Sequence, residues 1–133
     1  MTASSVLSVI GRDRAPSVID DDHLGRMTLG DRRLEREVLE IFVRQIAIML
    51  TRITATQPAL AAAAAHTLMG SARGIGAWRV ARAAERLERA AAGQSGELAM
   101  GQAVDELKAA VAEASAAIAA RLGGPLDKIS RDH

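Results

Sequence analysis

The chain has 133 residues, enough for one domain with one core, and a formal net charge of +1. This balance of charges gives no single-sign field that would attract nucleic acid or a membrane surface. Cysteine is absent, which excludes disulfides, thiolate zinc sites and cysteine nucleophiles and fits a reducing compartment. No apolar run approaches the roughly 18 residues that span a bilayer, and the N-terminus lacks the order of a signal peptide. We therefore expect a cytoplasmic protein.

The composition favours a helical fold. Hydrophobic residues make up 49% of the chain, but many of them are alanine, and aromatic residues contribute only 2%. A sheet would normally contain more β-branched and aromatic side chains, whereas alanine has the highest helix propensity and lets helices approach closely. We expect tightly packed helices and no sheet.

Both ends of the chain look unlike the middle. Residues 1–19 mix Ser, Gly, Pro and charged residues without periodicity, and residues 124–133 form a polar tail, so we predict flexible segments at both places. The domain between them is expected to span residues 20–123. It begins with three aspartates, Asp20 to Asp22, that can cap a short helix ending near Gly30. That helix has few apolar residues and is expected to dock on the rest as a lid.

Apolar residues then recur at spacings of three and four, which predicts long amphipathic helices. Asp31 can cap the first of them, and Pro58 is tolerated in the first turn of the second. The four helices are expected at about 32–56, 58–74, 77–92 and 97–122, the last with Leu98 among its inward residues. Short turns between them predict an antiparallel up-down four-helix bundle, preceded by the short extra N-terminal helix.

A single histidine stands on the second long helix among very small residues. At about 100° per residue, His66 shares a face with alanines, Gly70 and, two turns further on, Arg73. The imidazole is therefore expected to point outward. The opposite side of this helix is expected to be its buried seam. That side comprises Leu60, Ala64, Thr67, Leu68, Ser71 and Ile75.

The residues around His66 argue against several kinds of site. The histidines, His23, His66 and His133, form no pair at metal-ligand spacing, and no carboxylate lies one turn from His66 on its own helix. Ser71 lies about 140° away around the helix, too far for a Ser–His nucleophile pair. The segment 74–76 lacks the Lys-Ser/Thr pair that ends a phosphate-binding loop, and no strand precedes it. Acid–base catalysis by the chain alone is poorly supported.

What remains is a solitary, accessible imidazole. A neutral ring offers one free nitrogen, which is a good nucleophile for a phosphoryl group, whose transfer depends mainly on positioning and charge stabilisation. Gly70 removes the side chain that would obstruct approach to His66, and Arg73 could reach the phosphoryl oxygens or an acidic partner.

The chain from His66 to Ala77 reads His-Thr-Leu-Met-Gly-Ser-Ala-Arg-Gly-Ile-Gly-Ala. It resembles the motif of histidine-phosphotransfer (Hpt) domains of bacterial multistep phosphorelays, roughly His-x-Leu-Lys-Gly-Ser-Ser-x-x-Leu-Gly-Ala. The later pair Leu87-Glu88 also falls where that pattern expects it. Two departures from the motif matter: Met69 stands where the usual residue is lysine, and Ala72 stands where it is a second serine.

The resemblance implies that His66 accepts a phosphoryl group from a receiver-domain aspartate and passes it to another. It implies a monomeric phosphoryl carrier without a kinase site, whose partners are the receiver of a hybrid histidine kinase upstream and a response regulator downstream. No cofactor or metal is expected on this chain, since the receiver would bring magnesium. Arg73 is hypothesised to replace the charge of the missing lysine.

Other interpretations stay open at this point. The chain could be a helical adaptor that binds protein partners without chemistry, and a metal- or haem-binding bundle is weaker for want of a second ligand. Met69 is interpreted as part of an apolar docking rim. Two further surfaces are considered. An apolar surface beside His66, or else part of the core, would comprise Met27, Leu29 and Met49. A basic stripe, solvated and partly paired with Glu85 and Glu88, or else steering an acidic partner, would comprise Arg79, Arg82, Arg86 and Arg89.

Overall fold

A computed structural model describes residues 18–55, 57–93 and 96–123 of the chain. Within these residues it contains five helices and no strand, which confirms the all-α prediction. The helices are α1 Asp21–Met27, α2 Arg32–Ala55, α3 Pro58–Ile75, α4 Trp78–Ala92 and α5 Glu97–Arg121. The predicted flexible tail, residues 124–133, and residues 1–17 of the predicted leader lie outside the described residues. Ile19, at the end of that leader, is buried with the core.

The four long helices form the antiparallel bundle that the short turns predict. Helix α3 packs between α2 and α4, and α5 closes the bundle against α4 and α2. The antiparallel sense is visible in the ion pairs between α4 and α5, where Arg79 meets Glu113 and Arg86 meets Glu106. Residue numbers rise along one helix as they fall along the other. The structure is an up-down four-helix bundle with an extra N-terminal helix.

Alanine forms much of the seam between α3 and its neighbours. Ala61, Ala65 and Ala72 are fully buried on α3 beside Leu68, and Ala84 is fully buried on α4. Because an alanine side chain extends no further than a methyl group, the helix axes can approach closely at these contacts. The bulky part of the core comprises Leu24, Leu39, Phe42, Leu68, Val80, Leu87, Leu107 and Ile118.

Two details of the predicted inward faces are wrong. Leu98 is 77% exposed, because it lies in the first turn of α5, at the open end of the bundle. On α3 the buried stripe is rotated relative to the predicted seam, so that Leu60 and Thr67 are exposed while Ala61, Ala65 and Ala72 are buried. The rotation follows from the close packing of α4 against the alanine side of α3.

Helix α1 caps the end of the bundle where α3 ends and α4 begins. Asp20 links the segments: its Oδ1 accepts the His23 backbone N–H at 3.0 Å, and its Oδ2 accepts the Trp78 indole N–H at 2.8 Å. The Asp20 backbone N–H donates to the Gly76 carbonyl at 3.0 Å. The hydrogen bond from Trp78, followed by that from His23, lowers the pKa of the Asp20 carboxyl. The predictions of an aspartate cap and of a docked first helix are confirmed.

Gly76 fits this junction because it carries no side chain. It ends α3 in the left-handed region, with φ +84°, where other residues are strained. A Cβ atom at this position would lie 2.9 Å from the Asp20 Cβ and 3.1 Å from the Asp20 carbonyl oxygen. The close approach of α1 to the α3–α4 turn therefore requires glycine.

Further contacts tie α1 to the bundle. The His23 and Trp78 rings meet edge to face with their centroids 4.9 Å apart, and Arg121 of α5 forms ion pairs with Asp21 of α1 and Glu35 of α2. Among the described residues, none of the helices combines the length and the apolarity that crossing a bilayer requires.

Candidate functional site

His66 lies in the middle of α3 with its side chain 66% exposed. The face around it is formed by small residues, since Ala59, Ala63 and Gly70 are themselves exposed and none extends beyond a methyl group. The structure thus places the imidazole outward, as the sequence predicts. A second molecule can reach the ring without displacing a neighbouring side chain of α3.

Glu88, on the neighbouring helix α4, orients the ring. Its Oε2 atom lies 3.0 Å from Nδ1 of His66. A carboxylate can only accept a hydrogen bond, so Nδ1 carries the proton and the lone pair of the neutral ring is on Nε2. The exposed imidazole therefore has one nitrogen held by the protein and one left for a reaction partner.

Sequence reasoning missed this contact because it considered carboxylates only on the helix of His66 itself. Residues 66 and 88 are brought together by the antiparallel packing of α3 on α4, which periodicity along one helix does not reveal. One signal was present in the sequence, since Leu87-Glu88 falls where the phosphotransfer pattern places it. Leu87 is fully buried, and it fixes the rotation of α4 that turns Glu88 toward α3.

Arg73 lies on the same face of α3 as His66, two turns further along. Its side chain is 53% exposed, and its Nη2 atom lies 4.0 Å from Oε1 of Glu85 on α4. Glu85 also pairs with Arg89, whose Nη2 atom lies 2.9 Å from Oε2. The cation that the sequence singles out is therefore present beside the site, in a loose ion pair.

Gly70 lies between His66 and Arg73 on this face. A Cβ atom built on Gly70 would meet nothing within 4 Å, so the space above it is open. By contrast, the residues in place of the motif's lysine and second serine are both buried: Met69 is 8% exposed and Ala72 is fully buried. The interpretation of Met69 as part of a docking rim is wrong, because this side chain packs in the core instead.

An apolar groove runs beside His66 between α2 and α3. It is lined by Met49, Arg52, Leu60, Ala63, Ala64 and Thr67. Leu60 is 59% exposed, and Ile41 and Ile48 of α2 are about half exposed. Ile48 lies one turn before Arg52 on the same face of α2, and Ile41 lies two turns before Ile48. Exposed apolar side chains therefore continue from this groove along α2.

The methionines of the predicted contact surface separate into two places. Met49 is 7% exposed and belongs to the core, although it contributes to the floor of the groove. Met27 and Leu29 are exposed, but they lie at the end of α1 and in the turn after it, with α1 at the end of the bundle. The three residues do not form a single surface.

Two arginines of the basic stripe of α4 are paired with α5. Arg79 donates to both carboxylate oxygens of Glu113, at 2.9 and 2.8 Å, and Arg86 donates to Glu106 at 2.7 Å. The predicted pairing with Glu85 holds for Arg89, whereas Glu88 contacts His66 instead. In the described part of the chain, no group of three or more histidine, cysteine or acidic residues could hold a metal ion.

Comparison with known families gives the class of this bundle. The model of the Hpt domain family matches residues 34–117, more than half of the chain. The chain therefore belongs to the Hpt domain family. The matched range runs from the first turn of α2 into the last turns of α5, so α1 lies outside it.

Hpt domains are phosphocarrier modules of phosphorelays that interact with receiver domains and have no kinase activity. The histidine phosphotransfer role in two-component signalling is thus the role of the family to which this chain belongs. No curated protein and no solved structure gives a significant match to the chain.

Proposed function

We propose that this protein carries a phosphoryl group on Nε2 of His66 between receiver-domain aspartates of a two-component phosphorelay. The observation that carries the proposal is the pairing of an exposed ring with a carboxylate on its Nδ1 side. This arrangement leaves a nucleophilic nitrogen facing solvent in a fixed tautomer.

The transfer step follows from this geometry. The Nε2 lone pair attacks the phosphorus of an aspartyl phosphate, and the N–P bond forms as the P–O bond to the aspartate breaks. The aspartate carboxylate leaves with the bonding electrons. The positive charge that develops on the ring is shared through the Nδ1–H group with Glu88, which already accepts from that atom. The same step in reverse delivers the group to the next aspartate.

Gly70 and Arg73 would act on the approaching phosphoryl group. Gly70 leaves the space beside the ring open, which suits the entry of a partner's phosphorylated loop. Arg73 supplies a positive charge on the face of His66, where the buried Met69 supplies none. We assign Gly70 to access and Arg73 to charge stabilisation, in place of the lysine of the motif.

The groove between α2 and α3 is the surface we assign to the receiver. Its apolar residues, with Leu60 exposed at one side and Ile48 on the adjoining face of α2, lie next to His66 and offer area for burial. The receivers of a hybrid histidine kinase and of a response regulator would use this face in turn. The receiver would supply magnesium to the reaction, and the carrier would act as a cytoplasmic monomer.

Transfer of label from a phosphorylated receiver tests the proposal. The chain is mixed with a receiver carrying labelled phosphate, and the label is expected to appear as acid-labile, base-stable phosphate. The variant His66→Gln keeps the size and polarity of the side chain and should acquire none. A chain that binds the receiver but stays unlabelled would instead be an adaptor, and label that persists in His66→Gln would exclude His66 as the acceptor.

A further inference from the structure

Two carboxylates of α4, one turn apart, face α3 and hold different kinds of side chain. Glu88 accepts from the His66 ring at 3.0 Å, and Glu85 pairs with Arg73 at 4.0 Å. The two contacts lie one after the other along the interface between α3 and α4. The imidazole and the guanidinium on the outer face of α3 are therefore each connected to α4 by a separate acid.

The two cations on Glu85 are held unequally. Arg89 approaches Oε2 to 2.9 Å from within the same helix, whereas Arg73 is 4.0 Å from Oε1, beyond hydrogen-bond distance. Both arginine side chains are more than half exposed, and exposed pairs of this kind contribute little net free energy. Arg73 can therefore leave Glu85 at low cost, and Glu85 keeps Arg89 when it does.

The direction in which Arg73 could move is set by the helix. Side chains of an α-helix lean toward its N-terminus, so that of Arg73 leans toward His66, about 11 Å away along the axis. Gly70 lies between them on the same face, and the space where its side chain would stand is empty. An extended guanidinium crossing this gap meets no obstacle on α3.

A phosphoryl group on His66 would supply the attraction. It adds a charge of about −1.5 to −2, which is larger than the charge of a single carboxylate. It also adds three acceptor oxygens in a geometry that suits a guanidinium. Once the phosphoryl group is present, it attracts the Arg73 guanidinium more strongly than Glu85 does.

We propose that Arg73 is a gated cation, held by Glu85 while His66 is free and drawn across Gly70 to the phosphoryl oxygens when His66 is phosphorylated. This inference rests on the function proposed above. Glu85 and Arg89 are then positioning residues, which act on the phosphoryl group only through Arg73.

The gate makes opposite predictions for its two positioning residues. Glu85→Gln frees Arg73, and the rate of transfer from a phosphorylated receiver should rise by ~2- to 5-fold, the scale of one exposed ion pair. Arg89→Gln leaves Glu85 with Arg73 as its partner, and the rate should fall by a similar factor. In an Arg73→Ala background, neither substitution should change the rate. Glu106→Gln breaks the ion pair with Arg86 on the far side of α4 and serves as the matched control, with no expected effect.

A partner-free measurement separates Arg73 from receiver docking. Phosphoramidate phosphorylates an imidazole directly, with ammonia as the leaving group, and the phosphorus NMR signal then reports the titration of the phosphoryl group. Arg73→Ala should move its titration midpoint upward, because a nearby cation favours the dianion. Gly70→Val, which fills the gap, should do the same, and Glu85→Gln should move it downward.

The outcomes distinguish this inference from the proposed function. If the wild-type chain acquires no label from a receiver, the proposed function is wrong. If the label forms on His66 but the Glu85 and Arg89 variants change the rate equally with and without Arg73, the gate alone is wrong. An unchanged phosphorus titration in Arg73→Ala would also overturn it.

Discussion

Two histidines of this bundle have opposite environments. His66 in α3 is mostly exposed, with Nδ1 held by Glu88 and Nε2 facing outward. The Nε2 atom of His23 in α1 is buried and has no hydrogen-bond partner among the described residues, while its ring packs on Trp78. The first has the arrangement of a nucleophile, and the second that of a packing group.

The difference teaches that a histidine is suited to act as a nucleophile when one ring nitrogen is exposed and the other is anchored by a hydrogen bond. Either ring could be neutral and nucleophilic in water, since the side chains are identical. At His66 the protein fixes which nitrogen is free, and at His23 it covers the nitrogen instead. The fold, and not the residue type, assigns the chemistry.

The largest expected effect comes from exchanging each histidine for glutamine. His66→Gln should abolish phosphoryl acceptance with little change in the free energy of unfolding, because the side chain is exposed. His23→Gln should leave acceptance intact and lower stability by ~1 kcal/mol, because it removes the ring packed on Trp78. Labelling by a phosphorylated receiver and urea unfolding measure the two quantities. Loss of label in His23→Gln would break the comparison.

Two glycine substitutions should have opposite effects on stability. Gly76→Ala should cost roughly 2–3 kcal/mol, because alanine is strained at positive φ and its Cβ would meet Asp20. Gly70→Ala should stabilise the fold by about 0.5–1 kcal/mol, since this residue lies inside a helix with open space around it. Denaturant unfolding followed by circular dichroism measures both. Equal effects of the same sign would show that the α1 junction is not tightly packed.

Removing the anchor of His66 should slow transfer without preventing it. Glu88→Ala should reduce the transfer rate by roughly 10- to 100-fold, by analogy with the loss of the carboxylate that orients a metal-bound histidine. Glu88→Gln retains an acceptor oxygen, and its transfer rate should lie between those of Glu88→Ala and the wild type. Nitrogen NMR should show the Nδ1–H tautomer of His66 in the wild type and a mixture in Glu88→Ala. An unchanged tautomer would contradict the role of Glu88.

The smallest expected effect is a dependence on pH at the His23 end of the molecule. The pKa of Asp20 is lowered below its ordinary value of 3.8, with the Trp78 hydrogen bond as the main cause. The stability that Asp20 contributes is therefore complete above that value and is lost as pH falls through the lower, folded-state pKa. Fluorescence of Trp78, the only tryptophan, should report loosening of α1 in strongly acidic solution. Asp20→Asn should remove this dependence, and Asp22→Asn, at an exposed position of α1, should retain it.

The sequence predicts the helices and their antiparallel order, but not every buried face. Apolar spacing, the aspartate cap at Asp20, Pro58 and the glycines near the turns located the helices, because these signals act within a few residues of one another. The side from which α4 packs on α3 was not predictable in this way. That choice exposes Leu60 and buries Met69, and it depends on the shapes of two helix surfaces together.

The same limit applies to the candidate site. His66, Gly70 and Arg73 share one helix face, so their common side followed from the sequence alone. The contacts of Glu88 and Glu85 cross from α4 and needed the structure. The roles of His66, Gly70 and Arg73 stay predictions, and the experiments above test them.

The imidazole and the carboxylate that selects its tautomer belong to different helices, separated by a tight interhelical turn. The fixed tautomer of the ring is consequently a property of the assembled helix pair and not of the peptide around His66. A newly made or partly unfolded chain would have the histidine without the carboxylate that places the proton on Nδ1. In the proposed function, correct folding is thus needed for the full rate of transfer at this residue, and a chain that has not yet assembled would transfer slowly.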